Sequence, residues 1–96
     1  MERVWVHPDA IEEAQATYGW YHTRNPEIAE SFMAELDRGM ELILEGPEKW
    51  GPYVAGTRRF LLRRFPYLII FREVEETVQI VAIAHARRRP GYWRER

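Results

Sequence analysis

The chain has 96 residues, of which 46% are hydrophobic and 30% charged, with a formal net charge of −1; this predicts one folded domain over residues 1–96 and excludes a disordered chain. The absence of cysteine rules out disulfide staples and thiolate metal sites. The longest strongly apolar run, Tyr67–Phe71, is too short to span a bilayer, and the first residues are acidic and aromatic rather than an apolar signal core, so the expected location is the cytoplasm.

Arg3–Val6 is a short β-branched and aromatic stretch that predicts a first strand. His7-Pro8 ends it, and Pro8 suits the first position of a helix, where a missing N–H costs nothing. Asp9, Glu12 and Glu13 follow, with carboxylates placed at the positive end of the helix dipole. Ile11, Ala14, Tyr18 and Tyr21 recur at helical spacing and predict one apolar face. Asn25-Pro26 restarts the pattern as N-cap and first helical residue, and Ala29, Phe32, Leu36, Met40 and Ile43 form a second apolar stripe. Gly46-Pro47 stops that helix, so the two should form an antiparallel hairpin.

Glu48 to Thr57 reads as a loop containing Trp50, Gly51, Pro52 and Gly56. Three strands are predicted after it, over Arg58–Phe65, Tyr67–Val74 and Thr77–His85. Pro66 separates the first two, and Glu75-Glu76 makes a tight hairpin that lacks the usual Gly or Asn. Simple alternation in the last strand puts Val78, Ile80, Ala82 and Ala84 on one face and Gln79, Val81, Ile83 and His85 on the other. The expected fold is α+β, ordered β-α-α-β-β-β, with a twisted antiparallel sheet packed on one face by the α-helical hairpin. Its other face would carry the arginines and His85.

Charge is divided unevenly along the chain. Residues 1–48 hold three arginines against eleven carboxylates, and residues 49–96 hold eleven Lys and Arg against four carboxylates. That asymmetry fits either a surface for polyanions or an acidic partner, or two halves that pair across the fold.

Pro8 and Ala10 open the first helix, Tyr21 lies near its end, Phe32 lies within the second helix and Pro47 closes it. Arg59 begins an arginine-bearing strand, Phe65-Pro66-Tyr67 forms a strand junction, and Ala84-His85-Ala86-Arg87-Arg88 ends the last strand. In this order and spacing, over residues 3–96, the chain resembles the RelE/ParE toxins of bacterial type II toxin–antitoxin systems. The resemblance implies a growth inhibitor neutralised by a cognate antitoxin protein. One branch of the superfamily resembles ribosome-dependent mRNA endoribonucleases, and another resembles poisons of DNA gyrase. The arginine strand, the Phe65-Pro66-Tyr67 junction and the His85-to-Arg88 ending are more similar to the ParE, or plasmid-stabilisation, branch. Lys49 is the only lysine, whereas the nuclease branch usually carries lysines beside its active site. The expected action is therefore binding to gyrase. A metal-independent nuclease acting on mRNA at the ribosome, and a degenerate member that only binds antitoxin, are the alternatives. No cofactor, metal or membrane partner is implied.

For target or antitoxin binding the candidates are Arg59, Arg64, Arg87, Arg88, Arg89 and Trp93. A guanidinium grips phosphate or carboxylate through paired hydrogen bonds and stays charged, and exposed aromatics stack on unpaired bases. Each arginine could equally pair with a helix carboxylate, and Trp93 could pack the tail onto the sheet. Only in the nuclease alternative would Arg64, His85, Arg88 and Tyr92 be catalytic. His85 would then exchange the proton, an arginine would stabilise the developing charge, and Tyr92 would serve as acid or stacking platform. Otherwise His85 is a strand-end residue bonded to Tyr92 or a helix carboxylate. Trp20, Tyr21 and Trp50 are either core and loop anchors or a cluster that receives an antitoxin helix.

Overall fold

His7 and Asn25 each stand directly before a proline, and each side chain caps the helix that follows. The His7 imidazole Nδ1 accepts the Asp9 N–H at 3.0 Å, and the Asn25 side-chain oxygen accepts the Glu27 N–H at 3.0 Å. In the computed structural model, which describes residues 3–96, these caps start α1 (Pro8–Arg24) and α2 (Pro26–Glu45). The single-domain reading includes Met1 and Glu2, which lie outside the described residues. The strands are β1 (Arg3–Val6), β2 (Arg58–Leu61), β3 (Tyr67–Val74) and β4 (Thr77–His85). The loop between α2 and β2 contains two short 3-10 turns, Pro47–Lys49 and Val54–Gly56. The strand expected to reach Phe65 ends at Leu61, and Phe65 instead turns inward as a buried core residue.

The four strands form one sheet in the order β1-β4-β3-β2. β2, β3 and β4 are an antiparallel meander, but β1 lies parallel to β4, so the sheet is mixed and not wholly antiparallel as expected. Side-chain alternation is the same in both pairing modes, so the sequence of β1 carries no information about its direction.

One further departure rearranges the faces of the sheet. Phe71 pairs with Ile80 and Ile70 with Ala82, which leaves Val81 as an extra residue in β4. Such a bulge places two adjacent side chains on one face and shifts the alternation beyond it. Val78, Ile80 and Ile83 consequently join the core under the helices, whereas Val81, Ala82 and Ala84 join a second cluster on the opposite face. His85 follows Ile83 to the helix side: it pairs with Tyr67, whose ring meets it edge-on at 5.0 Å and also contacts Phe32 of α2. The expected placement of His85 among the arginines is therefore corrected by a single inserted residue.

Phe32, Phe65, Phe71, Ile69, Ile80 and Ile43 dominate the helix-side core. Gly39 lets α2 approach the sheet closely, since a Cβ there would lie 2.9 Å from Ile69 Cδ1 and 3.0 Å from Phe60 Cε1. α2 buries the stripe read from its sequence, except that Met40 is only half-buried. α1 does not. Its buried positions are Ala10 and Thr17, whereas Ile11, from the expected apolar face, is 45% exposed. Ile11, Ala14 and Tyr18 instead form one wall of an open groove of about 470 Å³, facing Met33, Leu36 and Met40 of α2 and Val6, Ile80 and Ile83 of the sheet.

The β3–β4 turn stores strain. Glu75 and Glu76 both sit in the left-handed region, at φ 49° and 64°, where a Cβ crowds the backbone. Replacing Glu75-Glu76 with Asn-Gly is expected to stabilise the protein by about 1–2 kcal/mol. A higher urea midpoint at unchanged m-value would show this.

Candidate functional site

Beyond β4 the chain turns back beneath the sheet. The Ala86 N–H donates to the Pro66 carbonyl at 2.7 Å, and successive turns lead through Gly91 at φ 88° to Arg96. Trp93, only 2% exposed, enters the second apolar cluster with Leu68, Ile70, Val81, Ala82 and Ala84. Trp93 is thus a core residue, and its indole is not available as a contact surface in this conformation.

Around it the structure builds a row of rings and guanidiniums. The Arg59 guanidinium carbon lies 4.5 Å from the Tyr53 ring centroid, and Tyr53 stacks on Trp93 with centroids 5.6 Å apart. Trp93 meets Tyr92 edge-on at 5.2 Å, and the Arg88 guanidinium lies 3.8 Å over the Tyr92 ring. A hollow of about 330 Å³ opens beside Tyr53 and Arg59, with Leu61, Leu68 and Ala86 as its floor and walls. Cations stacked on rings keep most of their N–H donors free for an anionic ligand, while the rings limit their motion.

Glu13 of α1 holds this row in place. Beyond Ile80 the edge of β4 is no longer paired with β1, and the Glu13 carboxylate accepts the Ile83 N–H there at 2.9 Å. The same carboxylate accepts the Tyr92 hydroxyl at 2.7 Å and both terminal nitrogens of Arg96 at 2.9 and 3.0 Å. Arg96 also donates to the Val81 carbonyl at 3.1 Å, so two side chains complete the ladder where β1 ends. Arg88 stands 3.7 Å from Glu13, and Arg96 lies 3.5 Å from Asp9.

Several expected site residues are brought together here: Arg59, Arg88, Tyr92 and Trp93 share the row, and Arg87 and Arg89 are exposed just after β4. Two are not. Arg64 is turned toward α2, donating its backbone N–H and its Nε to Glu35 at 2.9 and 3.1 Å. His85 sits across the sheet with its Nδ1 accepting the Arg87 N–H at 3.1 Å. Arg64, His85 and Tyr92 therefore hold three different partners and do not converge on one position. Although burial raises it, the Glu35 carboxyl lies below its ordinary value, because the Arg64 backbone and guanidinium and the Arg63 backbone favour its charged form. No group of three or more His, Cys, Asp or Glu among the described residues could hold a metal ion. No helix among them is long and apolar enough to cross a membrane.

Tyr53, Glu13 and Arg96 belong to the site but carry no role in the sequence reading. An aromatic within a Gly/Pro loop and a carboxylate in a helix's second turn are weak signals. Their importance depends on what folds against them.

A family model described as "ParE toxin of type II toxin-antitoxin system, parDE" matches residues 4–90. The chain belongs to the ParE toxin family. The fold of this ParE-family toxin is similar to that of a solved structure described as "Chromosomal ParDE TA system from P. aeruginosa", with a TM-score of 0.78 and 21% identity over 88% of this chain and 96% of that one. No curated protein matches it.

The toxin's Tyr92 gives the row a signature in pH. Burial, the hydrogen bond to Glu13 and the charge of Glu13 all push the phenol well above its ordinary 10.0, against the opposing effect of Arg96 and Arg88. A raised folded pKa means the fold favours the protonated phenol, so this contribution is complete below about pH 10 and is lost as pH rises further. The wild-type urea midpoint should fall more steeply above pH 10 than that of Tyr92→Phe. Parallel curves would mean that the phenol is not held by Glu13 in solution.

Proposed function

We propose that this ParE-family toxin inhibits growth by binding DNA gyrase through Arg59, Tyr53, Tyr92 and Arg88, which the buried Trp93 supports from beneath, and the adjoining Arg87 and Arg89, and that a cognate antitoxin neutralises it. The observation that carries the target surface is the stacked row itself, in which three of the expected contact residues, Arg59, Arg88 and Trp93, meet with Tyr92 on the face away from the helices. A surface that presents guanidiniums on fixed rings suits an acidic protein segment or a phosphate backbone and needs no catalytic group. The nuclease alternative receives no support from the separate partners of Arg64, His85 and Tyr92.

For the antitoxin, the open groove is the supporting feature. Ile11, Ala14 and Tyr18 form an apolar stripe that the toxin buries only in part, and Met33 and Met40 offer adaptable walls opposite. An amphipathic antitoxin helix would fill it with residues at helical spacing. The exposed Val4, two residues before Val6 on the neighbouring edge strand β1, extends the same apolar surface.

Induced expression with and without the antitoxin tests both parts. Growth arrest relieved by the antitoxin, gyrase-dependent trapping of cleaved plasmid by purified toxin, and intact messages are the expected results. Cleaved messages would establish the nuclease reading, and unimpaired growth would identify a member that has lost toxicity. Ile11→Asp should weaken antitoxin capture by at least about tenfold, because it buries a charge in an apolar contact, while leaving gyrase trapping unchanged.

A further inference from the structure

On the helix side of the sheet, a second cleft of about 600 Å³ lies between the last turns of α1 and the open end of β3 and β4. Thr17, Trp20, Tyr21, Pro66, Tyr67 and His85 line it. Neither the stacked row nor the antitoxin groove includes any of these residues.

Its walls are aromatic, and their polar atoms are unspent. Trp20 is 55% exposed, and its ring meets Tyr21 edge-on at 5.2 Å, as Tyr67 meets His85 at 5.0 Å. Thr17 is one of two buried polar residues among those described, at 8% exposure; it lines the cleft, and its hydroxyl makes no hydrogen bond among the described residues. The phenol hydroxyls of Tyr21 and Tyr67 likewise have no partner among the described residues. Because His85 Nδ1 accepts the Arg87 N–H, the proton of the neutral ring resides on Nε2, leaving a donor. A cleft with flat apolar walls and a few uncommitted donors and acceptors suits a planar heteroaromatic ring.

Charge at the rim narrows the ligand further. No carboxylate among the described residues lines the cleft, and the Arg24 guanidinium lies 3.6 Å over the Trp20 ring. One Arg24 nitrogen donates to the Trp20 carbonyl, which offsets the negative end of α1 and leaves the other N–H groups for an anion.

We propose that this cleft binds a nucleoside 5′-phosphate, free or at the end of a single strand, with its base against Trp20, Tyr67 and His85 and its phosphate on Arg24. The base also satisfies the Thr17 hydroxyl, and stacking supplies most of the affinity.

Calorimetric titration of the intact toxin with the four ribonucleoside 5′-monophosphates, the matching nucleosides and short single-stranded oligonucleotides tests this. Saturable binding of at least one monophosphate is expected, weakened about tenfold by Trp20→Ala through lost stacking. Because Trp20 is largely exposed, that variant should keep its urea midpoint. Arg24→Ala should abolish the preference of phosphate over nucleoside, Thr17→Val should alter the ranking of bases, and Arg38→Ala should change nothing. Oligonucleotides that bind more tightly than the monophosphate would identify a strand end as the source, and equal affinity would identify the free nucleotide; either result upholds the site. Absence of saturation at millimolar nucleotide overturns it. So does nucleotide binding that Trp20→Ala, Arg24→Ala and Thr17→Val all leave unchanged, or occupancy by tryptophan or tyrosine amides in place of nucleotides.

Discussion

Trp93→Ala should lower the stability of the toxin by about 3–5 kcal/mol, the cost of removing a large buried aromatic from a packed cluster. Trp93 is 2% exposed and is covered by Leu68, Ile70, Ala82 and Ala84 on the sheet side, with Tyr53 stacked against it. The loss extends beyond its own contacts, because without the indole Tyr53 loses its platform and the Arg59 end of the row loses its support. Trp93→Phe keeps a ring and removes the Nε1–H, which has no partner among the described residues, so it should cost only about 1–2 kcal/mol. Urea unfolding decides the matter. A change within about 0.5 kcal/mol for the alanine variant would mean that Trp93 faces solvent and that the tail does not pack as described.

Glu13→Ala is the second large effect, expected at about 2–4 kcal/mol, since it leaves the Ile83 N–H and the Tyr92 hydroxyl without their acceptor and removes the two-oxygen partner of Arg96. Glu13 and Arg96 are only about one-sixth exposed at their side chains, so water replaces the lost partner poorly. Glu13→Gln keeps an acceptor for Ile83 but loses the charge, and should cost less. Amide exchange provides the sharper readout. The Ile83 amide should lose protection selectively in Glu13→Ala, whereas the β3–β4 amides that bond strand to strand should keep theirs. A double variant with Arg96→Met should recover part of the loss, because the largely buried guanidinium that lost its main partner is then gone. Additive losses in that cycle would show that the two side chains do not interact.

Local chemistry made most of the elements legible. The bounds of β1, β3 and β4, both helix starts and the Glu75-Glu76 reversal follow from prolines, caps and alternation that act over a few residues. Arg59, Arg88, Tyr92 and Trp93 could be singled out because guanidiniums and aromatic rings have chemistry independent of their neighbours. Whether Trp93 contacts a partner or fills a core could not, because both uses require the same side chain.

What the sequence determined by itself is therefore the order of elements, the uneven division of charge and the kind of chemistry the second half can offer. Tertiary structure alone decided the parallel docking of β1, the extra residue at Val81 that turned His85 toward the helices, and the return of the tail onto Glu13. Each of these depends on pairing between residues far apart in the chain, whereas propensity and periodicity report only near neighbours. A one-residue bulge leaves almost no trace in composition, yet it exchanges every side chain beyond it between two faces of the sheet.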